Sequence, residues 1–358
     1  MKNYLLFAFA LWIGSNVSNA QPAPWYADKT DLLSYLDEKG ARLQIADPAT
    51  WAKRKAHILT QMQVVMGKLP DLPEHRPFRV TEKSQNDCGK YIQKHLTIEI
   101  NPGEQLPVYL LLPKVQQKQF PAMLCLHPTS KPDGKKIPAG LSGKSDRHYA
   151  KELAEHGYVT LAPDYPNMGE YQFDVYGKGY ISTTMKAIEN HRRCLDYLIS
   201  LPQVDASRLG VVGHSLGGHN SIFLGCFDDR VQVIISSCGF CSFPKYMKGN
   251  LTGWSHDGYM PKIKTTYDCD PKKMPWDFTE AIALLAPRTF IAVAPINDHN
   301  FDVAGVKDCI RAAKPVYQIF KKESNLISLY PEAGHDFPDD ARKEAFRILD
   351  SKLKPASK

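Results

Sequence analysis

The sequence predicts an α/β chain: a mostly parallel central sheet with helices on both faces and a helical extension at the N-terminus. Three observations carry this. From residue 120 onward, short apolar runs alternate with helix-compatible stretches. A turn-linked pair of alternating segments precedes them, at 91–100 and 106–112 around Asn101-Pro102-Gly103. Before that pair lies a run with helical apolar spacing.

In chain order, residues 1–20 read as an export signal. Lys2 gives a positive start, Tyr4 to Ile13 is apolar, and Ser18-Asn19-Ala20 offers a small-x-small cleavage site. The apolar stretch is short of the ~20 residues that span a bilayer. The expectation is therefore an exported protein, periplasmic or secreted, with no stable membrane insertion after cleavage. Residues 21–80 form the helical extension packed on the core. Its helix opens at Pro48 and buries Trp51, Ile58, Met62 and Val65.

Residues 81–358 form the catalytic domain. Its core strands are expected at 122–126, 158–162, 209–212, 231–235, 289–294 and 326–329, with helices at 145–156, 184–200, 216–226, 303–313 and 339–352. Two long insertions, 165–183 and 240–287, are placed at the rim of a site.

Composition is that of a globular protein, with 43% hydrophobic and 23% charged residues. The net charge of +7 is scattered rather than striped with aromatics, which excludes a nucleic-acid groove. Of the eight cysteines, Cys125, Cys194 and Cys226 lie in apolar runs and read as buried hydrophobes. Cys88 and Cys269, in polar surroundings, are the expected disulfide participants. Cys238-Gly-Phe-Cys241 lacks a second pair at metal-site spacing.

The chemistry is carried by Gly213-His214-Ser215-Leu216-Gly217, which follows an apolar strand and opens a helix. A Gly-x-Ser-x-Gly turn in that setting holds the serine hydroxyl clear of the sheet and aims the next amide at a developing oxyanion. Ser215 is the expected nucleophile and the Leu216 amide the first oxyanion donor. A serine needs a base, and the base an orienting acid, in the chain order Ser, acid, His. His335, in the loop after the last strand, is the base. Asp298, directly after the preceding strand, is the acid; Asp302 is its alternative, with a helix N-cap as its plainer role. The second oxyanion donor is expected after strand 122–126, where Pro128 has no amide hydrogen and Thr129 does. His127, Tyr165, His214, Trp254, Tyr259 and Trp276 are candidate substrate-rim residues, with burial as loop anchors the equal alternative for the aromatics. The histidines show no His-Glu-x-x-His or other compact ligand array, so neither metal nor cofactor is expected.

Residues from about 90 to 350 resemble the α/β-hydrolase superfamily, in its dienelactone-hydrolase-like and acetyl-xylan-esterase-like branches. The landmarks are Leu126-His-Pro-Thr, Gly157-Tyr-Val-Thr-Leu-Ala-Pro-Asp164-Tyr, Gly213-His-Ser-Leu-Gly-Gly, Leu285-Ala-Pro-Arg288, Asn297-Asp-His-Asn-Phe301 and Gly334-His-Asp-Phe337. The resemblance implies triad roles for Ser215, Asp298 and His335, oxyanion amides at Leu216 and Thr129, and no cofactor. Dienelactone hydrolases carry cysteine where this chain has Ser215, which argues against that substrate. The expected substrate is a small acyl ester or an acylated glycan, above all acetyl groups on plant or algal polysaccharides. The rival expectations are a prolyl-oligopeptidase-like serine peptidase and a non-catalytic glycan-binding protein on a hydrolase shell.

Overall fold

The computed structural model describes residues 24–71 and 77–354. The expected signal segment lies outside these residues. The extension begins with a short antiparallel pair, β1 (Ser34–Leu36) and β2 (Arg42–Gln44), followed by helix α1 (Pro48–Met66). The extension is thus only partly helical. Asp47 caps α1 by accepting from the Thr50 amide at 2.7 Å, and Pro48 needs no amide partner in the first turn. Trp51, Ile58, Met62 and Val65 are buried as the periodicity required.

A second tie holds the extension. Arg54 on α1 donates to Glu280 at 2.7 Å, both side chains being buried, and its guanidinium lies 3.0 Å over the Tyr26 ring. Burial pushes the Glu280 carboxyl up to about 7, against the pull of Arg54 and Lys29. The pair is a locking element whose halves depend on each other. Glu280→Ala leaves a buried guanidinium without its carboxylate and should cost about 3–5 kcal/mol, read as a fall in the denaturation midpoint.

Nine strands form the main sheet: β3 (Val80–Asp87), β4 (Tyr91–Asn101), β5 (Glu104–Pro113), β6 (Phe120–Leu126), β7 (Val159–Pro163), β8 (Val204–His214), β9 (Val233–Ser237), β10 (Thr289–Val293) and β11 (Leu326–Leu329). Their spatial order is β11-β10-β9-β8-β6-β7-β5-β4-β3. From β11 to β7 all pairings are parallel, and β5, β4 and β3 continue the sheet antiparallel. The β4–β5 turn is the expected one, with Gly103 at φ 76° following Pro102. The edge strand β3 was not expected. It is exposed along its whole length and polar after Val80, so no apolar run marks it.

The remaining helices are α2 (Tyr149–Glu155), α3 (Thr183–Ser200), α4 (Leu216–Phe227), α5 (Lys262–Thr265), α6 (Phe278–Ala283), α7 (Val303–Ile319) and α8 (Asp339–Leu353). Alternation along the strands divides the core. Ala122, Leu124, Leu126, Val211 and Ile234 pack toward α3, α4, α6 and α7, while Met123, Cys125, Val212 and Ile235 pack toward α2 and α8. After β6 the chain first moves to one side, to β7, and then returns to the other side for β8. That reversal opens a crevice at the carboxyl ends of β6 and β8, where an open parallel sheet places its ligands.

The eight cysteines are free thiols, including Cys88 and Cys269, which the sequence placed in disulfides. No helix among the described residues is long and apolar enough to cross a membrane.

Candidate active site

The turn from β8 into α4 is as tight as the glycines imply. Ser215 sits at φ 54°, ψ −114°, a left-handed region that costs a non-glycine residue energy and is kept only where its surroundings enforce it. The enforcement is visible: the Ser215 amide donates to Ser237 O at 2.8 Å, and a Cβ on Gly217 would overlap the Leu126 carbonyl oxygen. The first turn of α4 is thereby pressed against the end of β6. This brings the start of α4 beside the backbone of Leu126 and His127.

Asp298 and His335 come together because the loops after β10 and β11 continue the strands' pairing. The amides of Ala294, Ile296 and Asn297 donate to Leu329 O, Pro331 O and Ala333 O at 2.9, 3.0 and 3.1 Å. His335 Nδ1 then lies 3.1 and 3.0 Å from the two Asp298 carboxylate oxygens. Asp298 is almost wholly buried, at 1% side-chain exposure, whereas His335 keeps 23%. Burial pushes the Asp298 carboxyl up. The hydrogen bond and charge of His335, with the Asn300 and Phe301 amides at 2.8 and 3.1 Å, outweigh this and hold it below the usual range. With Nδ1–H given to Asp298, the Nε2 lone pair of His335 is available as a base. The His335 ring lies 5.0 Å from that of His214, the residue next to Ser215. Asp302 takes the plainer role, capping α7 by accepting from the Ala304 amide at 2.7 Å.

Five of the six expected rim residues are buried in the scaffold instead. Trp276 packs on Phe223, Phe243 and Phe278, and Trp254 on His219, Phe243 and Tyr246. The 240–287 insertion joins the main core through these aromatics, packing on Phe223 of α4 and Phe290 of β10, because so long a loop must bury apolar area to hold one shape. Tyr165 is buried too, its hydroxyl donating to Gly258 O at 2.8 Å. His127 Nδ1–H donates to Pro128 O at 2.7 Å and its Nε2 accepts from the Tyr165 amide at 2.9 Å, so it is a neutral brace for the β6 loop. Burial lowers its pKa, consistent with that state. His214 is likewise buried. Only Tyr259 stays partly open, its ring 4.5 Å from exposed His256 and its hydroxyl bonded to the Thr129 side chain.

Arg147 was not anticipated. One of its nitrogens, Nη2, reaches His214 Nε2 at 3.3 Å, His335 O at 3.0 Å and the Asp336 carboxylate at 3.0 Å. His214 in turn meets Ser237 Oγ through Nδ1 at 3.1 Å. This chain of contacts ties the serine turn to the histidine loop. Nothing in the charged segment Lys144–Arg147 distinguishes this arginine from its neighbours in sequence. Arg147→Ala should lower kcat about tenfold with KM little changed, in steady-state kinetics on a small ester, because it loosens geometry rather than binding.

The model of a protein family described as "Glucuronyl esterase, fungi" matches residues 110–321, a stretch that holds Ser215 and Asp298 and stops short of His335. The chain is 24% identical over 292 residues to the putative hydrolase YtaP of Bacillus subtilis, covering 78% of this chain and 95% of that protein. Among solved structures it is similar to a glucuronoyl esterase from Solibacter usitatus, with a TM-score of 0.71 at 20% identity, over 92% of this chain and 99% of that one. It is also similar to a putative acetyl xylan esterase from Bacteroides fragilis, with a TM-score of 0.59 at 18% identity, over 86% of this chain and 87% of that one.

Proposed function

The chain belongs to the glucuronyl esterase family, and from that premise we propose that it is a serine carboxylesterase cleaving ester bonds carried by sugar units, with uronoyl esters as the first substrate class. The observation that carries the chemistry is the buried Asp298 holding His335 by Nδ1 beside the strained Ser215 turn. His335 Nε2 takes the Ser215 hydroxyl proton as Oγ attacks the ester carbonyl. The Leu216 and Thr129 amides receive the oxyanion. The alcohol leaves with the proton from His335, and water, activated by the same nitrogen, releases the acid and restores Ser215. Asp298 keeps Nδ1 protonated and stabilises the imidazolium.

Cys238 is the rival nucleophile nearest the pair. It is 3% exposed, its thiol is bonded to Asp336 O at 3.2 Å, and burial followed by the Asp298 charge raises its pKa, all of which favour Ser215.

Acetyl removal from glycans is the second reading, supported by the similarity to the putative acetyl xylan esterase of Bacteroides fragilis. One panel separates the readings: alkyl esters of glucuronic acid, acetylated xylan, a short-chain aryl ester and a prolyl peptide amide. Free uronic acid from the first supports the primary reading, and acetate from the second supports the alternative. Cleavage confined to the peptide, or glycan binding without turnover, overturns both.

A further inference from the structure

The feature that esterase chemistry leaves unused is the thiol of Cys238, the residue directly after β9. Its backbone is held at φ 47°, and its amide donates to Val293 O at 2.9 Å, at the end of the strand that leads to Asp298. That geometry turns the side chain toward the acid–base pair. One donor atom each from Cys238, Asp298 and His335 lie within 4.8 Å of one another. Two of the three side chains are buried, and the third, His335, opens the way to solvent. Cys241, the other half of the Cys-x-x-Cys spacing, is not in this group.

We propose that Cys238 Sγ, an Asp298 carboxylate oxygen and His335 Nδ1 form an inhibitory site for a thiophilic divalent cation such as zinc. Sulfur, nitrogen and oxygen donors at this convergence suit zinc, whose tetrahedral shell takes Zn–S near 2.3 Å and Zn–N or Zn–O near 2.0–2.2 Å. Around a tetrahedral metal these donors stand about 3.4–3.6 Å apart, so Asp298 and His335, now 3.0 Å apart, part slightly, and Cys238 Sγ, within 4.8 Å of both, moves in by about 1.3 Å at most. The metal takes the Nδ1 lone pair, so the imidazole proton moves from Nδ1 to Nε2, and the Cys238 thiol releases one proton to solvent. The two negative ligands neutralise the dication. His335 then carries its proton on the nitrogen that should accept one from Ser215, and the base is lost without any contact to the nucleophile.

The groups facing the thiol are Asp298, His335, Ser237, Arg147 and the Asp336 carbonyl. Of these, Arg147 opposes a cation and Asp298 favours it.

The inhibition rests on His335 being the base, as proposed above; the binding does not. Two measurements keep these apart. In the first, cobalt(II) is titrated into the wild-type protein and into Ser215→Ala, and the near-ultraviolet spectrum is followed. A thiolate-to-cobalt band in both, absent from Cys238→Ser, is expected whatever the substrate is. In the second, esterase rates are measured against buffered free zinc, each variant referred to its own metal-free rate and restored by chelator. Cys238→Ser and Cys238→Ala should raise the half-inhibiting zinc concentration at least about tenfold. A wild-type cobalt complex without the thiolate band, or equal zinc sensitivity in wild type and both cysteine variants, overturns the proposal. A band without inhibition keeps the site and overturns the role of His335 as base.

Discussion

Ser215→Ala is expected to lose at least about 10³-fold in kcat toward any ester the wild type turns over, with its melting curve unmoved. The serine contributes no packing that alanine lacks. The tie at this position is made by the backbone amide, to Ser237 O, and survives the substitution. The φ of 54° is equally unfavourable for alanine, so the strain is neither relieved nor increased. Kinetics and calorimetry therefore separate chemistry from folding at one residue. A serine-directed phosphonate adds a direct reading, since its adduct should map by mass spectrometry to the peptide bearing Ser215 and not to that bearing Cys238. Retention of near-wild-type turnover in the alanine variant would place the chemistry elsewhere.

Asp298→Asn should lower kcat by about 10²–10⁴-fold while leaving KM within a few-fold. An amide at this position holds His335 in the wrong tautomer, because its NH₂ donates where the carboxylate accepted, and it cannot stabilise an imidazolium. The same variant tests the electrostatics. The folded-state pKa of Asp298 lies below the ordinary value of 3.8, so the stability it supplies is complete above that value and is lost as pH falls through the folded one. Wild-type melting temperatures should therefore fall from about pH 4 downward partly on account of this group, and Asp298→Asn should remove that share of the slope. A variant with an unchanged acid limb, or with full activity at neutral pH, would move the acid role to another residue.

The sequence was informative wherever local physics decides. Alternating apolar runs and turn residues marked every parallel strand, because a buried strand and a helix impose different periods on the chain. The Gly213 to Gly217 turn marked Ser215 as the candidate nucleophile, since a tight strand-to-helix corner calls for small residues on both sides of the serine. The exposed edge strand β3 carried no such mark. It is held by backbone pairing with β4, which polar side chains permit but do not announce. Nor could sequence tell a sugar-stacking aromatic from a loop anchor. Trp254 and Trp276 have the composition of both, and only the folded insertion buries them.

Chain order suggested Asp298 and His335; their contact was decided by the backbone pairing of two loops separated by 37 residues. Arg147 and Cys238 belong fully to the tertiary structure. Arg147 reaches the acid–base pair from an unpatterned charged run by clamping the His335 loop, and Cys238 reaches it from just after β9, although its Cys-x-x-Cys spacing points to Cys241 instead. The sequence by itself determined the parallel part of the sheet, the serine turn and the order of the candidate catalytic groups, because these follow from periodicity, glycine geometry and chain direction. The surroundings of those groups, and with them the rim, the clamp and the thiol, were decided by which loops meet above the sheet, a long-range property that no local pattern encodes.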